Sequence, residues 1–335
     1  MNMKTIIIAE IGPNHNGSLN LAKKLIKSAK LCGADYVKFQ TYKTESIIVK
    51  NAKKANYQIK NTNNNDSQFD MLKKLELTQD NFLELKKFSN KVGIKFLTTC
   101  FDFESVKFSK KLNMDYHKIA SGELNNFPLI KEICKYAKKI ILSTGMSNFN
   151  EVKRTVNFIL NNKIKKKNLV ILHCNTEYPT PFKDVNLNAM LEISKKLKIK
   201  NYGYSDHTLE DIVALSATSL GAKFIEKHFT LSRKMSGPDH IASLEPYEFK
   251  AMVNKVRIVE KILGTKHKSV TKSEKKNINI ARRSIVANQN IKKGDKFTLK
   301  NLSIKRPGKG LEPNKIFNLL GKISKKNYKI DDFIK

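Results

Sequence analysis

His207 and His228 each close a short apolar run, and two neutral imidazoles at the ends of consecutive extended segments are a common divalent-metal site. Either ring could instead be a hydrogen-bonded core histidine. Glu226, two residues before His228, faces the same side of an extended chain and could supply an oxygen ligand or accept a hydrogen bond from one. Nitrogen and carboxylate ligands with open water positions suit manganese, magnesium or a similar ion better than a closed structural zinc site. A second group, Lys38, Thr99, Lys118, Ser121, Ser143 and Ser205, offers two cations and several hydroxyl donors of the kind that hold a phosphate. Inward-facing lysines need an anion or a buried carboxylate to offset their desolvation. Glu10 and Glu123 could be that carboxylate, or, in a catalytic site, the general acid and base.

These residues come together only if the elements carrying them share one end of a sheet. Eight apolar runs, at 5–11, 36–40, 94–99, 116–120, 139–144, 169–174, 202–205 and 224–228, alternate with stretches of helical spacing such as Leu21, Leu25 and Ala29 or Phe82, Leu85 and Phe88. Eight strand–helix units predict a closed (β/α)8 TIM barrel over residues 1–263 rather than an open doubly wound sheet, and no G-x-G-x-x-G follows the first run. Polar groups follow every run, and in a barrel those C-terminal ends ring a single pocket. Residues 51–70 are too polar for a core element and read as a long loop after strand two, on that same face.

A last helix is expected at 246–263, a polar linker at 264–276 and a small β-rich domain at 277–335. Its short apolar stretches, 284–287, 297–302 and 319–323, are broken by Lys293-Gly294-Asp295 and Pro307-Gly308. At about 60 residues it is marginal alone, so docking on the barrel or a partner is expected.

Composition excludes several classes. The chain has 335 residues and a formal charge of +34, which alone would suggest a polyanionic partner. The lysines are spread along the whole chain among Asn and Ile, as A/T-biased coding would also place them, and no basic cluster with interleaved aromatics marks nucleic-acid binding. Cys32, Cys100, Cys134 and Cys174 form no C-x-x-C pair, which fits a reducing cytosol better than a disulfide framework. The apolar runs are too short to span a bilayer and the N-terminus has no signal-like apolar stretch, so a cytoplasmic enzyme without a membrane partner is expected.

The motifs carry a resemblance. Ala9-Glu10-Ile11-Gly12, Asn14-His15-Asn16-Gly17, Lys38-Phe39-Gln40-Thr41, Ser121-Gly122-Glu123 and Leu142-Ser143-Thr144-Gly145-Met146 are followed by a run from His173 to Pro181. Ser205-Asp206-His207-Thr208, Glu226-Lys227-His228-Phe229-Thr230, Ser236-Gly237-Pro238-Asp239-His240 and Lys305-Arg306-Pro307-Gly308 complete the set. In this the chain resembles the bacterial sialic acid synthases over nearly its whole length, including a tail similar to their antifreeze-like (SAF) domain. Thr98-Thr99-Cys100 stands where some members have Ser-Thr-Pro, and Thr176 where some have Asn.

The resemblance implies condensation of phosphoenolpyruvate with N-acetylmannosamine and water to N-acetylneuraminate and phosphate, with C–O cleavage and a divalent metal, usually Mn2+, with Mg2+ or Co2+ as alternatives. By that analogy His207 and His228 hold the metal, which polarises the sugar aldehyde. Lys38, Thr99, Lys118, Ser121, Ser143 and Ser205 hold phosphoenolpyruvate, and Glu10 and Glu123 stabilise charge at its C2 and handle the attacking water. Gln40, Tyr178 and Asp239 contact the open-chain sugar, while Arg306 reaches its N-acetyl end from the other subunit of a domain-swapped homodimer. The related legionaminic acid synthases, which use 2,4-diacetamido-2,4,6-trideoxymannose, are the alternative. Pseudaminic acid synthases resemble the chain less, having a bulky Phe at the place of Gly122.

Overall fold

The computed structural model describes residues 4–62 and 66–335 and divides after Gly264 into two compact units. In the first, β1 (Ile6–Glu10), β2 (Tyr36–Thr41), β3 (Lys95–Cys100), β4 (His117–Ile119), β5 (Ile140–Ser143), β6 (Leu169–His173), β7 (Tyr202–Asp206) and β8 (Phe224–His228) pair in chain order. All pairings are parallel, and β8 returns to β1 to close the barrel. The strands read as nearly continuous apolar runs because both of their faces are covered.

Side chains alternate between those faces. Ile7, Ala9, Val37, Phe39, Phe96 and Ile225 point outward into a core shared with the surrounding helices. Ile8, Tyr36, Leu97, Ile141, Val170, Leu172 and Phe224 fill the barrel interior as a separate cluster. The helices meet the outer face with one apolar stripe each, Leu25 and Ile26 on Leu19–Leu31, Phe82 and Leu85 on Gln79–Val92. Ser18 and Thr78 cap their first turns, and Gly93, at φ 77°, ends the second of them in the left-handed region that glycine tolerates.

The segment 51–70 departs from the expected loop. It holds the helix Asn56–Thr62 and the start of the helix Gln68–Leu75, residues 63–65 lying outside the described ones. Ser67 and Asp70 form a reciprocal cap at the second helix, and Met71 and Leu75 bury its inner side. The expected final barrel helix is present as Pro246–Ile262.

In the second unit the expected linker is helical at its end. Thr271 and Glu274 cap a helix over Lys272–Ala281. Beyond it β9 (Ser284–Ala287) and β10 (Leu302–Lys305) pair antiparallel, and single bridges join Ile291 to Tyr328 and Lys296 to Ile323. Regular strand is scarcer than the apolar stretches suggested: of 297–302 only Leu302 lies in a strand, and 319–323 begins on the end of the helical turn Ile316–Leu319 and makes a single bridge at Ile323. Ile285, Ile291, Phe297, Leu302 and Ile334 form this unit's own core.

Candidate active site

The site grows out of the barrel's interior alternation. Two residues beyond five of the seven inward apolar side chains stands an inward polar one: Glu10 after Ile8, Lys38 after Tyr36, Thr99 after Leu97, Ser143 after Ile141 and Glu226 after Phe224. Register then sets these neighbours side by side, Glu10 against both Lys38 and His228, Gln40 against Thr99, Thr99 against Lys118, and Ser205 against Glu226. Above the apolar floor lies a cavity of about 480 Å³ lined by Lys38, Gln40, Thr99, Lys118, Ser121, Ser143, Tyr178, Ser205, His207 and Glu226.

Charge in this cavity is organised around two carboxylates. Lys38 pairs with Glu10 and stands 3.6 Å from Glu226, while Lys118 stands 3.5 Å from the same Glu226 oxygen. Burial pulls the Glu226 carboxyl upward, but Lys118 and Lys38 outweigh it and hold the group well below its ordinary range. Ser205 donates to Glu226 at 2.9 Å. Glu10 goes the other way, because burial and the nearby Glu226 exceed the help of Lys38 and of Gln40, which donates to it at 3.2 Å. Burial lowers Lys118, against the pull of Glu226. One carboxylate is thus kept charged and its neighbour is pushed toward the neutral form, an arrangement suited to acid–base work. Thr99 and Ser143 keep hydroxyls buried without protein partners, available to an anion lying across the lysines.

The histidines form the other wall. Their ring centroids are 5.3 Å apart, and Tyr178 stacks on His207 at 4.2 Å and meets His228 edge-on at 5.4 Å. His207 donates from Nδ1 to the Asn175 carbonyl at 2.5 Å, which makes Nε2 the acceptor nitrogen, with the Ser205 hydroxyl 3.4 Å away and its proton directed to Glu226. Burial lowers His207 to about 4 and drives His228 well below its ordinary value, so both imidazoles are neutral near pH 7. His228 Nδ1 is buried without a hydrogen-bond partner, 3.6 Å from an Asp239 oxygen. Burial, then Glu10, raises Asp239 to about 7. Among the described residues no cluster of three or more His, Cys, Asp or Glu side chains is placed to hold a metal. Two neutral imidazoles with unshared lone pairs nevertheless fit an ion whose other positions go to water or substrate.

The expected residues are gathered unequally. Ser121 lines the cavity and receives the Gly145 backbone N–H at 3.0 Å, an approach that needs glycine there, since a Cβ would lie 2.9 Å from the Ser121 hydroxyl. Glu123 lies one residue beyond cavity-lining Gly122, half-buried, and accepts from Asn126 at 2.6 Å instead of facing the lysines. Its place beside them is taken by Glu226. Glu10, His228 and Asp239 are buried behind the lining, and Arg306 is an exposed residue of the second unit just past β10. The sequence reading missed Tyr57, Gln58, Gln68 and Phe101, which also line the cavity. Only the capping pattern Ser67-x-x-Asp70 could have signalled ordered structure there.

The same chain matches known proteins along almost its whole length. The NeuB family model covers residues 25–268 and the SAF domain model residues 282–335. The N,N'-diacetyllegionaminic acid synthase of Campylobacter jejuni is 50% identical over 332 residues, 99% of each chain. That of Legionella pneumophila is 39% identical over 322 residues, 95% of this chain and 90% of its own length. Among solved structures, the N-acetylneuraminic acid synthetase of Leptospira borgpetersenii superposes with a TM-score of 0.72 at 31% identity, covering 83% of this chain and 91% of that one.

Proposed function

This chain belongs to the NeuB family, a family of phosphoenolpyruvate-dependent nonulosonate synthases, and from that premise we propose that it makes N,N'-diacetyllegionaminic acid. The reaction joins phosphoenolpyruvate, water and 2,4-diacetamido-2,4,6-trideoxymannose and releases phosphate. Near-full-length identity of 50% to the Campylobacter jejuni synthase carries this reading, against 31% to a sialic acid synthetase structure, so the second of the two expected acceptors is preferred over N-acetylmannosamine.

The cavity's residues divide the work. Lys38 and Lys118, with Thr99, Ser121, Ser143 and Ser205, hold the phosphate and carboxylate of phosphoenolpyruvate. Glu226, ionised between the lysines, faces the positive charge that develops at C2 when C3 bonds to the aldehyde carbon. Glu10, nearer neutrality, exchanges the proton of the incoming water, and Glu123 is a second candidate once released from Asn126. Gln40, Tyr178 and Asp239 orient the acceptor. His207 and His228 hold a divalent cation, most simply Mn2+, which supplies Lewis-acid polarisation of the aldehyde oxygen when bound. The homodimer and the part of Arg306 in it, like a cytoplasmic location, rest on the resemblance; no helix among the described residues is long and apolar enough to cross a membrane.

Phosphate release measured with each acceptor tests the assignment. The diacetamido sugar should be preferred in kcat/KM by roughly 100-fold, the range that one pocket contact set can deliver. Equal or better turnover of N-acetylmannosamine would reverse the assignment.

A further inference from the structure

The acceptor proposed above differs from N-acetylmannosamine most sharply at C4, where an acetamido group replaces a hydroxyl. We infer that Gln58 and Gln68, on the helices Asn56–Thr62 and Gln68–Leu75, bind that C4 acetamido group and so set acceptor specificity. The inference rests on the proposed function and deepens it.

Depth along the cavity is the first argument. With the aldehyde at His207 and His228, the sugar's remaining carbons run outward beside the aromatic rings. Tyr178 stacks on His207 at 4.2 Å, and Tyr57 stacks on Tyr178 at 5.2 Å with the rings 30° apart. Tyr57 is thus one ring beyond Tyr178, at the level where a chain held at C1 presents its middle substituents, and Gln58 is its neighbour in sequence and in the lining.

Chemistry is the second. An acetamido group presents one N–H donor and one carbonyl acceptor, and a glutamine side chain offers the complement of both. Gln58 is buried yet lines the cavity. Its Oε1 is fixed by the Ala55 N–H at 3.0 Å, whereas its Nε2 reaches the Tyr57 hydroxyl only at 3.4 Å. Gln68 Nε2 likewise reaches Gln58 Oε1 only at 3.4 Å. Bonds at that length are weak, and a buried carboxamide gains by exchanging them for a ligand amide.

Position is the third. Asn61 donates to the Pro238 carbonyl at 2.7 Å, which ties the Gln58 helix to the loop carrying Asp239, itself 3.6 Å from His228. The Gln68 backbone N–H bonds to the Ala52 carbonyl at 3.0 Å, closing the excursion on itself. The two carboxamides are therefore indexed to the histidine wall rather than carried on a free loop.

Steady-state kinetics on the full-length enzyme with Mn2+ and saturating phosphoenolpyruvate, comparing 2,4-diacetamido-2,4,6-trideoxymannose with N-acetylmannosamine, tests this. Gln58→Glu keeps the oxygen that caps Ala55 and removes the donor; Gln68→Leu removes both groups at a helix end whose own cap is Ser67. Each should lower the kcat/KM ratio of diacetamido to monoacetamido acceptor by roughly tenfold, mainly through KM, as the loss of one buried hydrogen bond to substrate predicts. If Gln58→Glu does not fold, Gln68→Leu decides alone. A ratio that stays put in folded variants overturns the inference while the proposed function stands. Wild-type enzyme that prefers N-acetylmannosamine overturns both, and shows it before any variant is made.

Discussion

Asp206 and Lys227 are register partners at the ends of β7 and β8, both wholly buried, with Nζ 2.9 Å from Oδ2. Each immediately precedes one of the two wall histidines. The ammonium also donates to the backbone carbonyls of Thr208 and Glu210, and Asp206 accepts from the Thr208 N–H and hydroxyl at 2.9 and 2.8 Å. Because side chains alternate, this outward-facing clasp locks the strands at the level where His207 and His228 turn inward. Burial lowers the lysine, and Asp206 is the strongest influence holding it up against that penalty.

Lys227→Met should therefore destabilise the enzyme by about 3–5 kcal/mol, the usual cost of leaving one charge of a buried pair alone. Replacing both residues with apolar ones should cost less than the sum of the two single changes. Urea unfolding of the set measures it, and a single-variant loss below about 1 kcal/mol would show that the clasp does not hold the strands.

The histidine wall makes a separate prediction. His207→Ala or His228→Ala should weaken Mn2+ binding, followed by calorimetry or paramagnetic resonance on the protein without substrate, beyond the roughly 10–100-fold that loss of an outer-shell partner costs. Thermal stability should hold, since both rings are at strand ends above the apolar floor. Wild-type affinity in either variant would remove that residue from the metal site.

Why the sequence disclosed some of this and hid the rest follows from periodicity. Barrel and polar rim were legible because Ile8 and Glu10, or Ile141 and Ser143, obey the two-residue rule up to the strand end. Past β4 the chain turns into the short helical turn Ser121–Glu123, the rule lapses, and Glu123 goes to Asn126. Spacing puts Glu226 on the same side of its strand as His228; only register between strands reveals that two lysines hold it. The helix Asn56–Thr62 has no apolar stripe to find, as its cavity-facing residues are Tyr57 and Gln58.

Acid should unfold the barrel partly through His117, a β4 residue that shares its Nε2 with the Ser109 hydroxyl at 3.2 Å and is lowered by burial to about 4. The unfolded chain binds a proton there between pH 6.5 and 4 while the folded one does not, so stability rises with pH across that window and is complete above it. The shift corresponds to at most about 3 kcal/mol. In His117→Asn the stability difference between pH 4.5 and 7, measured by urea unfolding, should shrink by up to that amount. An unchanged difference would mean that His117 titrates normally in the fold.

The fate of the bridging oxygen of phosphoenolpyruvate separates two uses of Ser205. Its hydroxyl donates to Glu226 at 2.9 Å, a pairing that could activate a serine for attack on phosphorus or simply help keep Glu226 ionised. Lys118 and Lys38, which approach the same Glu226 oxygen that Ser205 donates to, hold its carboxyl down, which makes it a poor base and favours the second use. Charge then builds at C2, water adds there, and the C–O bond breaks. Phosphoenolpyruvate with an isotopically labelled bridging oxygen should deliver the label to phosphate, read by mass spectrometry. Label kept in the sugar product would mean P–O cleavage, with Ser205 as the first nucleophile to replace.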